Sequence, residues 1–384
     1  MQNNTDKKTV KTFAWASFLN DLGSDMVFPL WPMFVTTVLG ANMMVLGLLD
    51  GLGDAIVSVS QALAGYLSDR THKRKVFIWV GYLMAAVSRF GYALSPSWQW
   101  LVPFKAVDRA GKIRGAPRDA MVADASTDKN RGANFGFLRA MDHAGAVCGI
   151  IASLILFGIL GYKKLFLLAA IPSLLAVALV YFIIQEEPTA PKKLFQGFTI
   201  KDLSANYWLM VLLSAIFALG YFSYSFLMIL ANSSGIKAGV IPVLYLLFTL
   251  VSAVSSIPAG KLSDKIGRKW VLWLSFLLWG LVCVVSIYWS TVIAVVIIFI
   301  LYGLNKGLME PAQKALVSEL SPKEMKASGI GTYQMIIGLM ALPGSLIAGL
   351  LWEKVGMTAP FYFSLSLTII ASALLFGLKE KKLV

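Results

Sequence analysis

Ionisable side chains interrupt the apolar runs of this chain at helical spacing. Asp21 and Asp25 stand four residues apart, as do Asp50 and Asp54, so each pair shares one face of a helix. The segment 98–122 carries Lys105, Asp108, Arg109, Lys112, Arg114, Arg118 and Asp119. On a regular helix Lys105, Asp108, Arg109, Lys112 and Asp119 fall on a stripe about 100° wide, with Arg114 and Arg118 on the other side. Arg139, Asp142 and His143 follow in the next apolar run. In all, nine bases and eight acids lie inside apolar runs, and such near balance suits paired networks. A carboxylate buried among apolar helices titrates nearer neutral pH, and an adjacent cation pulls it back. Such a network can pass protons and hold a charged or polar solute. We expect Asp21, Asp25, Asp54, Lys105, Asp108, Arg109, Lys112, Arg139 and Asp142 to form a polar centre in the N-terminal half. A static set of interhelical ion pairs is the plain alternative.

The C-terminal half carries less charge. Lys306, Glu310 and Lys314 follow one another at four-residue intervals, and a Lys306–Glu310 pair on one helix is the simple reading. The run around 204–231 has no charge and many rings: Tyr207, Trp208, Phe217, Tyr221, Phe222, Tyr224 and Phe226. Tyr221 and Tyr224 lie mid-run with hydroxyls that can line a cavity, while the other rings read as packing. A charged wall from one half and an aromatic wall from the other would suit an amphipathic organic solute, with an anion as the expected charge.

The elements that must position these residues follow from composition. The 384 residues are 58% hydrophobic and only 14% charged, with a formal net charge of +14, against roughly 25% charged residues in an average soluble protein. Disorder requires low hydrophobicity, and nucleic-acid binding requires bases on a polar surface. Both are excluded, as is an ordinary soluble enzyme. A spanning helix needs about 20 apolar residues, and twelve such segments are expected at 12–37, 44–67, 76–95, 98–122, 134–159, 164–185, 204–231, 239–260, 270–288, 291–318, 328–351 and 360–378. With the N-terminus in the cytoplasm, the inner loops hold 21 of the basic residues and the outer loops 4, a strong positive-inside signal. Both termini are then cytoplasmic. No cleavable leader is expected. Cys148 and Cys283 both sit in apolar runs and give no disulfide framework.

The halves repeat. Gly65-Tyr-Leu-Ser-Asp69-Arg70 follows the second span and Gly260-Lys-Leu-Ser-Asp264-Lys265 the eighth, 195 residues apart, and Asp124 and Glu319 end the fourth and tenth spans at the same offset. A duplication at half length points to two bundles with a site between them. The expected organisation is a six-helix bundle over 1–185, a cytoplasmic linker over 186–203 and a second six-helix bundle over 204–384.

On these motifs the chain resembles the major facilitator superfamily. The second copy reads Gly260, Leu262, Ser263, Asp264, Gly267, Arg268, Lys269, close to the family signature G-x-L-a-D-r-x-G-r-k; the first reads Gly65, Leu67, Ser68, Asp69, Arg70, His72, Lys73, Arg74, with His72 at the second glycine. The resemblance implies an all-α membrane protein of twelve transmembrane helices in two pseudo-symmetric six-helix bundles. It also implies a cytoplasmic gate at Gly65, Asp69, Arg70, Gly260, Asp264 and Arg268. There the glycines let helices approach, the aspartates meet a neighbouring helix N-terminus, and the bases pair with acids on neighbouring helices. Asn20-Asp21-Leu-Gly-Ser-Asp25, the run from Asp108 to Ala120, and Arg139-Ala-Met-Asp142-His143 resemble a bacterial subgroup of small permeases. Where the family usually places an arginine three residues before a glycine, this chain has Asp108 before Gly111, with Arg109 beside it. Gly145 and Gly149 match the first two glycines of the family's antiporter motif, without its proline.

The expected function is therefore secondary active transport of a small organic solute by alternating access, coupled to protons. Export of amphipathic compounds is favoured over uptake of a polar or anionic metabolite. A metal or metal-chelate carrier is a further alternative, weakened by only two histidines, His72 and His143. No G-x-x-x-x-G-K-[ST] loop is present to bind nucleotide. A lipid-modifying membrane enzyme would need a catalytic cluster that the loops do not show, and a sealed sensor or scaffold is the third class. No cofactor, resident metal or nucleic-acid partner is expected; the partners are the solute, protons and membrane lipid, with a monomer in the bacterial inner membrane.

Overall fold

The computed structural model describes residues 2–71, 73–127, 130–186, 203–321 and 326–380; the side chains of 2–5, 65, 66, 69–71, 131, 132 and 326–328 also lie outside the description. Among the described residues the chain is helical, without strands. The helices are α1 (Gln2–Val27), α2 (Trp31–Met33), α3 (Met43–Thr71), α4 (Arg74–Leu94), α5 (Leu101–Ala110), α6 (Gly115–Asp124), α7 (Arg131–Ile183), α8 (Ala205–Gly220), α9 (Tyr224–Ser233), α10 (Ile241–Ile266), α11 (Arg268–Tyr288), α12 (Val292–Leu320), α13 (Lys326–Lys354) and α14 (Ala359–Phe376). Each of the twelve expected spans is represented.

Among the described residues nine stretches are long and apolar enough to cross a membrane unaided. The longest, Ala133–Ile183, holds 51 residues, enough for two crossings. Its backbone leaves the helix at Gly161, where φ is 63° and ψ −175°, a left-handed conformation that glycine adopts without a Cβ penalty. The first and fourth spans are missing from the nine for physical reasons. The first opens on a polar run and breaks after Val27 at Pro29, resuming as α2 and a π-helical turn over Phe34–Val38. The fourth is rich in charge and is split by a 3-10 turn, Gly111–Arg114. Pro117 contributes to that split, because its ring displaces the carbonyl four residues earlier. The seventh span, expected as one helix, is also two: α8 ends at Gly220 and Ser223 caps α9, accepting the N–H of Ser225 at 3.2 Å. Pro343 lies inside α13, which continues through it.

The chain forms two compact units, Met1–Gly40 with Ile56–Leu194, and Ala41–Ala55 with Phe195–Val384. In the first, α1 lies against α7 with almost no side chain between them. A Cβ on Gly145 or Gly149 would fall well inside 3.0 Å of the Phe18 or Leu22 carbonyl oxygen. This seats the first span, with Asp21 and Asp25, directly on the fifth. Phe13, Ala14, Ile78, Tyr82, Val122, Leu138 and Val180 form a buried cluster at one end.

In the second unit, Gly303 and Gly307 of α12 meet the Phe248 and Ser252 carbonyls of α10, both at 2.8 Å from a built Cβ. The N-terminal part of α3 belongs here, with Gly51 against Leu342 of α13. Large apolar side chains point outward on both units, among them Ile159, Phe182, Val254 and Ile293, each more than 70% exposed, while Arg89, Lys105 and Asn305 are buried. Large apolar side chains facing outward, with these charged and polar groups inside, are what a multi-pass membrane protein requires.

Candidate functional site

In the first unit the charges of the fourth span divide at the 3-10 turn. On α5, Lys105 is 3% exposed with its ammonium 4.0 Å over the Trp31 ring. Arg109 lies 4.9 Å over Phe28 and 3.5 Å from the Asp108 carboxylate. Lys112 stands half-buried on the turn itself. Arg114 donates to the Gly111 carbonyl at 2.7 Å and covers the Tyr82 ring.

On α6, Arg118 joins a chain of alternating charge. It donates to Asp119 at 3.0 Å and to Ser17 at 2.6 Å, and lies 3.7 Å from Asp142. Arg139 closes the chain, reaching Asp142 at 3.1 Å and Asp119 at 3.2 Å. Asp119 is thus brought to Arg118 and Arg139, not onto one stripe with Lys105. A 3-10 turn has three residues per turn, so the helical phase set by α5 does not carry into α6.

The first-span acids lie beside α7. Asp25 is 9% exposed and packs over Gly149, and Asp21 accepts from Asn20 at 3.0 Å. Arg89, on α4, is one of the nine bases inside apolar runs but is not among the expected site residues. It is held without an acid among its hydrogen-bond acceptors, donating to the Ala169 and Asn20 carbonyls and to Ser24 and Ser173. His143 is exposed.

Asp54 departs from the expected N-terminal centre. It falls with Asp50 in the second unit, within electrostatic reach of Lys306 and Tyr302. Glu310 is the other acid acting on Lys306, whose ammonium sits 5.6 Å from the Phe248 ring centre. Phe248 belongs to a chain of rings: Tyr221 to Trp279 at 4.6 Å, Trp279 to Tyr302 at 5.8 Å, Tyr302 to Phe248 at 4.7 Å, Phe248 to Tyr245 at 5.5 Å and Tyr245 to Tyr224 at 5.3 Å. The Tyr221 hydroxyl is 3.0 Å from the Asn305 side-chain oxygen, and Asn305 donates to the Ser275 carbonyl at 2.8 Å. Asp50 accepts from Ser223 and Ser225 at the α8–α9 break. Asn305, Ser223 and Ser225 carry no sequence signal apart from being polar inside apolar runs.

The repeated signature is built differently from expectation. Gly65, Asp69 and Arg70 lie on α3 with side chains outside the described residues, and His72 is outside them altogether. In the second copy a Cβ on Gly260 would meet nothing within 4 Å, so this glycine does not mark a close approach. Asp264 is largely exposed, 3.4 Å from Arg268. The helix N-terminus is instead capped from the end of the unit. Glu380 accepts the backbone N–H of Arg268 at 2.6 Å and of Lys269 at 3.2 Å, while Arg268 pairs with Glu319. The first unit repeats this. Glu186 accepts the N–H groups of Arg74 and Lys75, and Arg74 pairs with Asp124 at 2.5 Å. Arg74 is therefore the counterpart of Arg268, and the first turn is one residue longer than the second. Glu186 and Glu380, 194 residues apart like Arg74 and Arg268, could have been found from that shared offset.

Among the described residues no group of three or more His, Cys, Asp or Glu could hold a metal ion. What the two units offer is an ion-pair network in one and a chain of aromatic rings that reaches a lysine in the other.

A family model described as Major Facilitator Superfamily matches residues 13–247 and 210–383. An uncharacterised MFS-type transporter of Methanocaldococcus jannaschii is 38% identical over 96% of this chain and 94% of its own length. A multi-drug resistance efflux pump, PmrA, of Streptococcus pneumoniae is 25% identical over 91% and 90%. Among solved structures, a bacterial homologue of the human lysosomal transporter Spinster, inward-facing and occupied, aligns with a TM-score of 0.79 at 14% identity, covering 96% of this chain and 95% of that one. At that identity the likeness concerns the fold.

Proposed function

The chain belongs to the major facilitator superfamily of transporters, and from that premise we propose that it exports an amphipathic organic solute by alternating access, driven by protons, with both termini in the cytoplasm. The observation that carries this reading is the contrast between the units. Arg118, Asp119, Arg139 and Asp142 form a linked set of charges in one, whereas in the other Tyr221, Trp279, Tyr302 and Phe248 form a chain of rings that meets Lys306 at Phe248. Linked carboxylates and cations can exchange a proton for a change of partner. Rings that run to a cation suit the apolar body and anionic head of an amphipath.

Asp25 and Arg109 are the residues on which coupling and solute recognition are placed, with Asp21, Lys105, Asp108, Lys112, Arg139 and Asp142 as further site residues in the first unit and Asp54, Tyr221, Tyr224 and Glu310 in the second. Gly65, Asp69, Arg70, Gly260, Asp264 and Arg268 are retained as the cytoplasmic gate. The relation to a multi-drug efflux pump supports export. The test is reconstitution in liposomes with an imposed pH gradient and a panel of amphipathic solutes. Proton-driven movement out of the cytoplasmic face is expected, abolished in Asp25→Asn and weakened at least tenfold in Arg109→Ala, an effect of about 1.4 kcal/mol or more. Wild-type rates and coupling in both variants would remove this site. A gradient that drives solute only inward would convert the reading to uptake.

A further inference from the structure

We propose that a groove between the first and sixth spans binds a membrane lipid with an anionic phosphate headgroup. The groove has a volume of ≈ 790 Å³ and is bounded by α1 on one side and by Leu179 and Ile183, near the end of α7, on the other. Its α1 wall is graded. Lys7 and Lys8 come first along the helix, Lys11 follows one turn on, then Trp15, then Leu19. Residues 7, 11, 15 and 19 are spaced by four, so they follow one slowly drifting stripe, each step rising about 6 Å. Over about 18 Å the wall passes from ammonium groups to an indole to aliphatic side chains.

That order matches a phospholipid, with its phosphate outermost, the glycerol region next and acyl chain beyond. Lys7, Lys8, Lys11 and Trp15 are all exposed, Trp15 by 52%, and a tryptophan at this depth is where interfacial rings partition. Among the described residues that line the groove there is no acid, so this part of the wall carries net positive charge. Basic pockets between spanning helices on the cytoplasmic side recognise phosphate headgroups, and the lysine distribution assigns this end to the cytoplasm. A free phosphate would use the lysines and leave the apolar half of the groove unused. The 187–202 segment of the chain is a poorer occupant, since Lys192, Lys193 and Lys201 outnumber Glu187 and Asp202. This site is separate from the transport site proposed above and does not depend on it.

The test uses the full chain in phosphatidylcholine vesicles, with chain-brominated phosphatidylglycerol or chain-brominated phosphatidylcholine added at equal fractions. The chain has 11 tryptophans, so the Trp15 signal is taken as wild type minus Trp15→Phe. Brominated phosphatidylglycerol is expected to quench that signal more strongly than the choline lipid. Each of Lys7→Gln, Lys8→Gln and Lys11→Gln should lower the apparent affinity about fivefold, and the triple variant about a hundredfold. Lys163→Gln/Lys164→Gln, at the other end of the unit, should leave it unchanged. Equal quenching by both lipids overturns the proposal, as does a preference that survives in the triple variant. Quenching by neither lipid would mean that protein covers the groove. Loss of the preference in millimolar inorganic phosphate would assign the lysines to free phosphate. Either result also overturns it.

Discussion

The Asp50 carboxylate takes a hydrogen bond from the Ser223 hydroxyl at 2.8 Å, and Ser225 donates to the same oxygen. This one acceptor holds the point where the seventh span changes from α8 to α9. An alanine there would take away the acceptor of the Ser225 hydroxyl and leave the Ser223 hydroxyl with Ser225 alone at 3.2 Å, at about 1–3 kcal/mol in a largely buried place. Asp50→Ala should lower the thermal unfolding midpoint of the detergent-solubilised protein. Asp50→Asn, which keeps an acceptor oxygen, should lose less than half as much. Equal losses in the two variants would show that the charge, and not the hydrogen bonds, holds the break.

Gly149 admits the backbone of α1. A Cβ there would strike the Leu22 carbonyl and lie 3.1 Å from the Asp25 Cβ. Gly149→Ala should cost about 1–3 kcal/mol by overpacking, read as lower thermal stability. Gly158→Ala, on the same helix but with nothing within 4 Å of a built Cβ, should be neutral or slightly stabilising through helix propensity.

The spans were legible in the sequence because hydropathy is additive along the chain, and the two breaks were not because they depend on local competition. Gly111, Gly115 and Pro117 together weaken the fourth span, while Ser223 offers the seventh a new start. The helical wheel placed Lys105 and Asp119 on one face and failed across the 3-10 turn for the same reason. Ion pairs such as Arg118 with Asp142 join residues 24 apart in sequence, and nothing local specifies that pairing. Asp54 was read with the first six spans by position, although α3 passes from one unit to the other between Ala55 and Ile56. The duplicated signature was legible as a motif, but its register was off by one residue in the first turn. Only the hydrogen bonds to Glu186 and Glu380 fix that register.

Those two glutamates should behave alike. Each accepts two N–H groups at a helix start and places negative charge at the positive end of the dipole. Glu186→Ala and Glu380→Ala should each cost about 1 kcal/mol. Having no shared partner, they should add in the double variant. A chemical-unfolding series on the four proteins checks this, and strong non-additivity would mean that the caps are coupled.

Removing Arg118 would strand Asp119 and Asp142 together near Arg139. Breaking one side of a buried pair costs about 3–5 kcal/mol, so Arg118→Met should be severely destabilised. Asp142→Asn should restore part of the loss, with a coupling energy of about 0.5–3 kcal/mol in the double-mutant cycle. A coupling near zero would separate Arg118 from Asp142 energetically despite their 3.7 Å approach.

The divided fourth span bears on how the protein is made. Seven ionisable side chains fall between Lys105 and Asp119, each adding about 2.5–3.5 kcal/mol to entry into lipid at mid-helix if charged and basic or aspartic. Such a segment does not leave an insertion channel for the bilayer by itself. It must be held until Trp31, Ser17 and Tyr82 on earlier spans, and Asp142 on a later one, are at hand to receive its cations. The fourth span is accordingly expected to settle in the bilayer only together with the fifth, whose Asp142 faces Arg118.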